Sequence, residues 1–210
     1  MRTARSWAAQ FLVDRAAAQR IVEPAGLRVV HLGRRALFTI AVADYEDTDL
    51  GAYQEVGLIF LVTGPHGNGI YVHHLPVNEE FTLAAGRAIW GYPKFLTKIS
   101  VERRGNAMRC ALGDVLELEV KRGLVPTPLP APPTYTALDG VLRLTHFRSR
   151  GVATARPGGA TLTLGSGPIA DELRSLGLPK RAMASTSMAR FRASFGPAAV
   201  VSGATQPGAS

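Results

Sequence analysis

The feature that most constrains this chain is a series of short apolar stretches, most of them bounded by glycine. Tyr53 to Thr63 is strongly apolar, Gly64-Pro65-His66-Gly67-Asn68-Gly69 turns the chain, and Ile70 to His74 returns beside it. That is the pattern of a β-hairpin. Phe95 to Glu102, Ala107 to Leu112 and Val115 to Lys121 read as a meander with turns at Gly105 and Gly113. Leu27 to Leu32 and Ala36 to Ala43 are strands joined at Gly33, and Gly140 to Phe147, Ala160 to Leu164 and Met183 to Phe195 complete the set. Helices are few. Asp14 caps one that runs through about Val22. Asn78 is read as the cap of a second, with Glu79 and Glu80 in its first turn and an end near Ala88. Pro168 begins a third that ends near Gly177. The pattern gives a mostly β protein with minor α, predominantly antiparallel. Closure into a barrel is one solution to its exposed sheet edges.

The connections carry their own signals. Asp44 to Gly51 is an acidic loop, and Leu124 to Tyr135, with five prolines, reads as an extended linker crossing the surface. The tail from Gly196, residues 196–210, is rich in Gly, Ala and Ser and is expected to be mobile. Residues 1–195 are long enough for one sizeable core and read as a single domain.

Composition narrows the function classes. The formal charge is +8, from 24 Lys and Arg against 16 Asp and Glu. The arginines are dispersed, with no run longer than Arg34-Arg35 or Arg103-Arg104, so no nucleic-acid partner is expected. The longest apolar run, Val56 to Val62, is too short to span a bilayer, so no membrane association is expected. The patch after Arg2 and Arg5 is cut off by Asp14, too soon for a secretory signal. Cys110 is the only cysteine and forms no internal disulfide; a reducing cytoplasm fits.

Chemistry concentrates at Gly86-Arg87-Ala88-Ile89-Trp90-Gly91-Tyr92-Pro93-Lys94-Phe95. Pro93 disfavours helix at Tyr92, so Lys94 is expected in extended chain among Trp90, Tyr92 and Phe95. A lysine in apolar surroundings is uncommon. Only a neutral amine attacks a carbonyl, and withdrawal from water is one way to make an amine from an ammonium. Lys94 is therefore the candidate nucleophile.

This segment resembles the signature of the acetoacetate decarboxylase family: Gly-Arg-Glu, an aromatic or apolar pair, Gly or Ala, an aromatic, then Pro-Lys-Lys. The family's Tyr-x-Glu element has its counterpart at Tyr53-Gln54-Glu55. Leu162-Thr163-Leu164-Gly165 to Leu176-Gly177-Leu178 also looks like the broader family's pattern. The resemblance covers roughly residues 10 to 195 and implies a closed or cone-like β-barrel with a central cavity. Acetoacetate decarboxylases are the established example of a lysine activated by desolvation or by a cationic neighbour.

The resemblance further implies a Schiff-base-forming lyase that decarboxylates a β-keto acid such as acetoacetate or performs a related imine/enamine carbon–carbon step. Lys94 is the imine-forming lysine and Glu55 a proton carrier or substrate orienter; Tyr53, Arg87, Trp90 and Phe95 are the expected substrate-binding residues. The substrate is a small-molecule keto acid, no metal or organic cofactor is needed, and homo-oligomers are common. Three positions depart from the pattern. Phe95 replaces the second lysine, Ala88 replaces the motif glutamate, and Thr39 stands where a further active-site glutamate aligns. They motivate a second reading, a non-catalytic small-molecule-binding barrel descended from such an enzyme. Arg148 and Arg150 are candidates for holding a substrate carboxylate, with a solvated strand end as the plainer reading.

Other chemistries lack support. His73 and His74 are adjacent on a strand, hence expected on opposite faces, which argues against a shared metal. Gly64 to Gly69 lacks a following helix and the Gly-Lys-Ser/Thr of a phosphate loop, and Gly165-Ser166-Gly167 is no nucleophile elbow. Cys110 lies in an alternating strand and reads as a buried filler.

Overall fold

The computed structural model describes residues 3–128 and 131–201. β1 (Thr3–Asp14) leads into α1 (Arg15–Val22), followed by β2 (Arg28–Val29), β3 (His31–Leu32), β4 (Arg35–Asp47), β5 (Tyr53–Gly64) and β6 (Gly67–Val77). Next come α2 (Glu80–Trp90), β7 (Lys94–Leu96), β8 (Ile99–Arg104), β9 (Ala107–Leu112), β10 (Leu116–Lys121) and β11 (Val125–Thr127). β12 (Thr134–Leu138), β13 (Val141–Pro157), β14 (Ala160–Leu164), α3 (Pro168–Ser175) and β15 (Ala184–Val200) complete the chain. Seven strands close into a barrel in the order β5-β4-β1-β15-β13-β12-β6, with β6 returning to β5. Neighbours in the ring are antiparallel except β12 and β6, which run parallel. A second sheet, β14-β10-β9-β8, lies outside the ring.

Strand periodicity explains why the barrel is apolar on both faces. On β4, Ala36, Phe38, Ile40 and Val42 are buried in the main core, and Ala41, Ala43 and Tyr45 face the interior cavity. The main core lies between the barrel's outer face and the second sheet. Phe11, Phe38 and Phe60 meet Met108, Cys110, Leu112, Leu116 and Leu118 there. Burial pushes the Cys110 thiol up to about 12, which leaves it an inert space-filling group. Among the described residues, no helix is long and apolar enough to cross a membrane.

Several elements differ from the sequence expectation. β1 is an addition to it: the N-terminal patch, too short for a secretory signal, forms a 12-residue strand. The tail does not begin at Gly196: β15 continues through Val200, pairing Val200 with Arg143, and Gly196 accepts a hydrogen bond from Trp90 Nε1 at 2.9 Å. Residues 202–210 of the expected tail lie outside the described residues. The expected strand from Phe95 to Glu102 divides in two, because β7 pairs with β6 and β8 begins the second sheet. Asn78 does not cap α2. Its Oδ1 accepts the Gln54 N–H at 2.7 Å, pinning the start of β5, and Glu79 takes the cap position without a side-chain bond.

The proline-rich stretch is also more than a surface linker. It ends in β12, which closes the ring, and Tyr135 is fully buried. The Tyr135 hydroxyl accepts the His66 N–H and donates to the Gly67 carbonyl, both at 3.1 Å, which ties the β5–β6 turn to β12. Tyr135→Phe removes both bonds, each worth about 0.5–1.5 kcal/mol net. The variant is expected to unfold at lower urea with an unchanged slope.

Finally, His73 and His74 do not face opposite ways. The β5–β6 register pairs Leu58 with His74 but Ile59 with Val72, so His73 is the extra residue of a bulge. The bulge absorbs one step of alternation and brings both rings to one side, with centroids 4.1 Å apart.

Candidate active site

The site is assembled by the way α2 ends. Gly91 adopts a left-handed conformation at φ 64°, and its N–H bonds to the Arg87 carbonyl. The Tyr92 N–H returns to the Gly86 carbonyl, closing the last turn. Pro93 then keeps the chain extended. β7 starts at Lys94, which pairs with Leu75 on the barrel strand β6. Helix stop, proline and strand entry together aim the lysine back across α2.

Lys94 is 4 % exposed. Its stem lies in a slot on α2 between Thr82 and Gly86, two residues one helical turn apart. Nζ donates to Thr82 Oγ1 at 2.8 Å and meets Glu55 Oε2 at 2.8 Å. The Tyr53 ring lies 5.2 Å from Nζ, within cation–π range. Glu55 Oε1 accepts from the Tyr45 hydroxyl at 3.2 Å. Burial pushes the Tyr45, Tyr53 and Tyr92 phenols up, and the charge of Glu55 adds to that, so all three remain neutral donors. Tyr45 and Tyr53 stack at 4.4 Å, an arrangement set by their direct pairing across β4 and β5.

Gly86 is required by the lysine. A Cβ there would stand 2.7 Å from Lys94 Cδ and Cε and 3.2 Å from Nζ. Gly86→Ala is expected to drive the stem out of its slot. Alanine is the better helix former by about 1 kcal/mol, so α2 itself gains. A misplacement of about 1 Å costs on the order of a hundredfold in rate. The expected result is a large fall in Lys94 reactivity at near-normal helix content, read by kinetics beside circular dichroism.

Lys94 and Glu55 open onto a cavity of about 580 Å³ inside the barrel. Its walls are mainly apolar, with Ile59, Leu75, Trp90, Met188, Phe191 and Phe195 prominent. Among the described lining residues, Lys94 is the only lysine, and there is no arginine. Enclosed volumes of about 300–1,000 Å³ suit ligands of drug-like size.

The sequence-derived candidates divide accordingly. Lys94, Glu55, Tyr53 and Trp90 come together at the cavity. Arg87 does not line it. Its side chain is on the exposed side of α2, and Nη1 donates to the Lys94 carbonyl at 3.2 Å, holding backbone rather than facing a ligand. Phe95 alternates to the other face of β7 and packs edge-on to His74 at 6.1 Å. Ala88, Arg148 and Arg150 are exposed, and Thr39 is one step beyond Ala41 on the cavity-facing side of β4. The parts played by Thr82 and Tyr45, and the packing of Gly86 against the lysine stem, were not anticipated. The spacing of Thr82 and Gly86 on one helix face ahead of Lys94 was the available signal.

Comparison with known proteins agrees with this architecture. The chain is 37% identical over 57 residues to an acetoacetate decarboxylase of Acidiphilium cryptum, covering 27% of this chain and 23% of that protein. It is 30% identical over 63 residues to acetoacetate decarboxylase 3 of Mesorhizobium japonicum, covering 30% and 25%. The matched segments thus span about a quarter of each curated relative. Among solved structures, acetoacetate decarboxylase from Legionella pneumophila superposes with a TM-score of 0.76 at 18% identity, covering 96% of this chain and 88% of that one. The enduracididine biosynthesis enzyme MppR, complexed with the condensation product of pyruvate and imidazole 4-carboxaldehyde, superposes with a TM-score of 0.75 at 15% identity, covering 94% and 87%. Residues 3–202 match the acetoacetate decarboxylase (ADC) family, and the chain belongs to it.

Proposed function

We propose that this protein is a lysine-dependent lyase that decarboxylates a β-keto acid carrying an apolar substituent. The observation that carries the reading is the Lys94 amino group, 4 % exposed and 2.8 Å from Glu55 Oε2, at the wall of an apolar chamber. Passing one proton across that hydrogen bond converts ammonium to amine. The amine adds to the substrate ketone, and loss of water gives a protonated imine. The electrons of the bond to the carboxylate carbon flow into the imine, carbon dioxide departs and an enamine remains. Protonation at carbon, followed by hydrolysis, releases the ketone and restores Lys94. Glu55 is placed to carry these protons, with Tyr45 holding its other oxygen.

The cavity walls favour this outcome over retention of the acid. With no arginine among the described lining residues, the lining cation beside a substrate carboxylate is the Lys94 nitrogen, which stays positive as the protonated imine and draws in the electrons left when carbon dioxide departs. The neutral carbon dioxide that leaves needs no ion-pair partner in apolar walls. The volume of about 580 Å³ exceeds what the smallest β-keto acid fills, which motivates the apolar substituent.

Borohydride trapping tests the reading. Incubation with a medium-chain β-keto acid and borohydride is expected to add the reduced ketone mass to the peptide bearing Lys94. An unmodified Lys94 peptide, with binding shown independently, overturns it. That result would favour the binding-barrel reading, which draws on the same Lys94–Glu55 pair, since an ammonium held by a carboxylate is no nucleophile.

A further inference from the structure

Outside the barrel, a second constellation of side chains has no part in the lysine chemistry. The β6 bulge turns His73 and His74 to the outer face, away from Val72 and Leu75, which line the cavity. α3 lies over that face and lends one carboxylate to both rings. Glu172 Oε1 is 3.0 Å from His73 Nε2 and 3.1 Å from His74 Nε2, and Oε2 is 3.1 Å from His73 Nε2. One ligand atom from each residue falls within 4.8 Å of the others.

We propose that His73, His74 and Glu172 form a binding site for a divalent transition metal of the zinc class. The separations fit. Zinc bonds of about 2.0–2.2 Å in tetrahedral array place neighbouring ligand atoms about 3.3 Å apart. The observed nitrogen-to-oxygen separations of 3.0 and 3.1 Å need to open by only a few tenths of an ångström. A simple ion pair uses one imidazole; here two Nε2 atoms converge on a single oxygen, the position an ion takes over from shared protons. Two imidazoles with one carboxylate suit zinc, cobalt, nickel or copper, whereas calcium and magnesium favour all-oxygen sets.

The surroundings match such a site. The three side chains are 19%, 23% and 31% exposed, so the ligands are preorganised yet reachable from solvent. Phe60 and Tyr71 flank His73 at 6.1 and 6.0 Å, and Phe95 flanks His74 at 6.1 Å, which gives the site an apolar shell. Three protein ligands leave the fourth position to water or a small anion. An ion there fastens α3 to β6, the strand whose Leu75 pairs with Lys94.

The test uses the full chain, stripped with a chelator and then titrated with zinc chloride by calorimetry and with cobalt chloride by visible absorption. One equivalent is expected to bind per chain, with the intense cobalt band of a low-coordinate site and a melting temperature that rises with zinc. Glu172→Gln and His74→Ala are each expected to lose that equivalent. Glu172→Gln keeps hydrogen-bonding capacity, so its metal-free melting curve separates lost ligation from lost folding, and His73→Gln serves where His74→Ala does not fold. Absence of a stoichiometric equivalent overturns the proposal. So does binding that survives Glu172→Gln and His73→Gln, which places the ion on other residues. Neither outcome depends on whether Lys94 forms an imine.

Discussion

Lys94→Met is expected to abolish both carbon dioxide release and the borohydride-trapped adduct while the cavity still admits its ligand. Methionine fills the slot above Gly86 with a similar stem but supplies no nitrogen. Among the described lining residues no second lysine can substitute, so activity should fall to the uncatalysed background. The variant also leaves Glu55, 14 % exposed, without its cation. Breaking one side of a buried pair costs about 3–5 kcal/mol, whereas replacing both sides by apolar groups is often near neutral. Lys94→Met/Glu55→Leu should therefore recover much of the stability lost by Lys94→Met, measured by urea denaturation, and none of the activity. A protein that only binds its ligand would have no turnover to lose in the first variant.

The second large effect is expected at Glu55→Gln. The amide keeps the shape of the side chain; its single oxygen can accept from Lys94 while its NH2 turns toward the Tyr45 hydroxyl, which can accept, so the site stays assembled. It cannot take the proton that separates ammonium from amine. A positioned acid or base contributes about 10²–10⁴-fold, and kcat should fall within that range. The adduct on Lys94 should still form, more slowly, because the nitrogen remains in place. Rapid-quench trapping beside steady-state kinetics checks this. Unchanged kcat with a raised KM would make Glu55 an orienter of substrate and assign proton transfer to another group.

How much of this could be read beforehand depended on whether the cause was local. Lys94 was legible because Gly91 and Pro93, within three residues, dictate the helix stop and the extended entry that deliver it. Tyr53 and Glu55 were legible through a motif at fixed spacing. Tyr45 was not, since only the register that sets it opposite Tyr53 brings it to the carboxylate. Thr82 and Gly86 share a helix face, yet their meaning needs the knowledge that the lysine folds back over them. Arg87 and Phe95 do not line the cavity, because a motif conveys adjacency along the chain, not which side a residue presents. β1 escaped notice because Ala8 and Leu12 stand between Trp7, Ala9, Phe11 and Val13 and blur the alternation. The paired histidines were misjudged for a single reason: a bulge depends on the partner strand and leaves no mark in the sequence of its own.

The slot on α2 bears on the cost of the proposed reaction. A free lysine side chain roams among many rotamers, and fixing it costs about 1.5–2 kcal/mol. Here that loss falls once, when the polypeptide first folds and Thr82, Gly86 and Glu55 immobilise the stem. For the lysine chemistry proposed above, an arriving ketone would meet a nitrogen already aligned, and the entropy of positioning would drop out of the activation barrier.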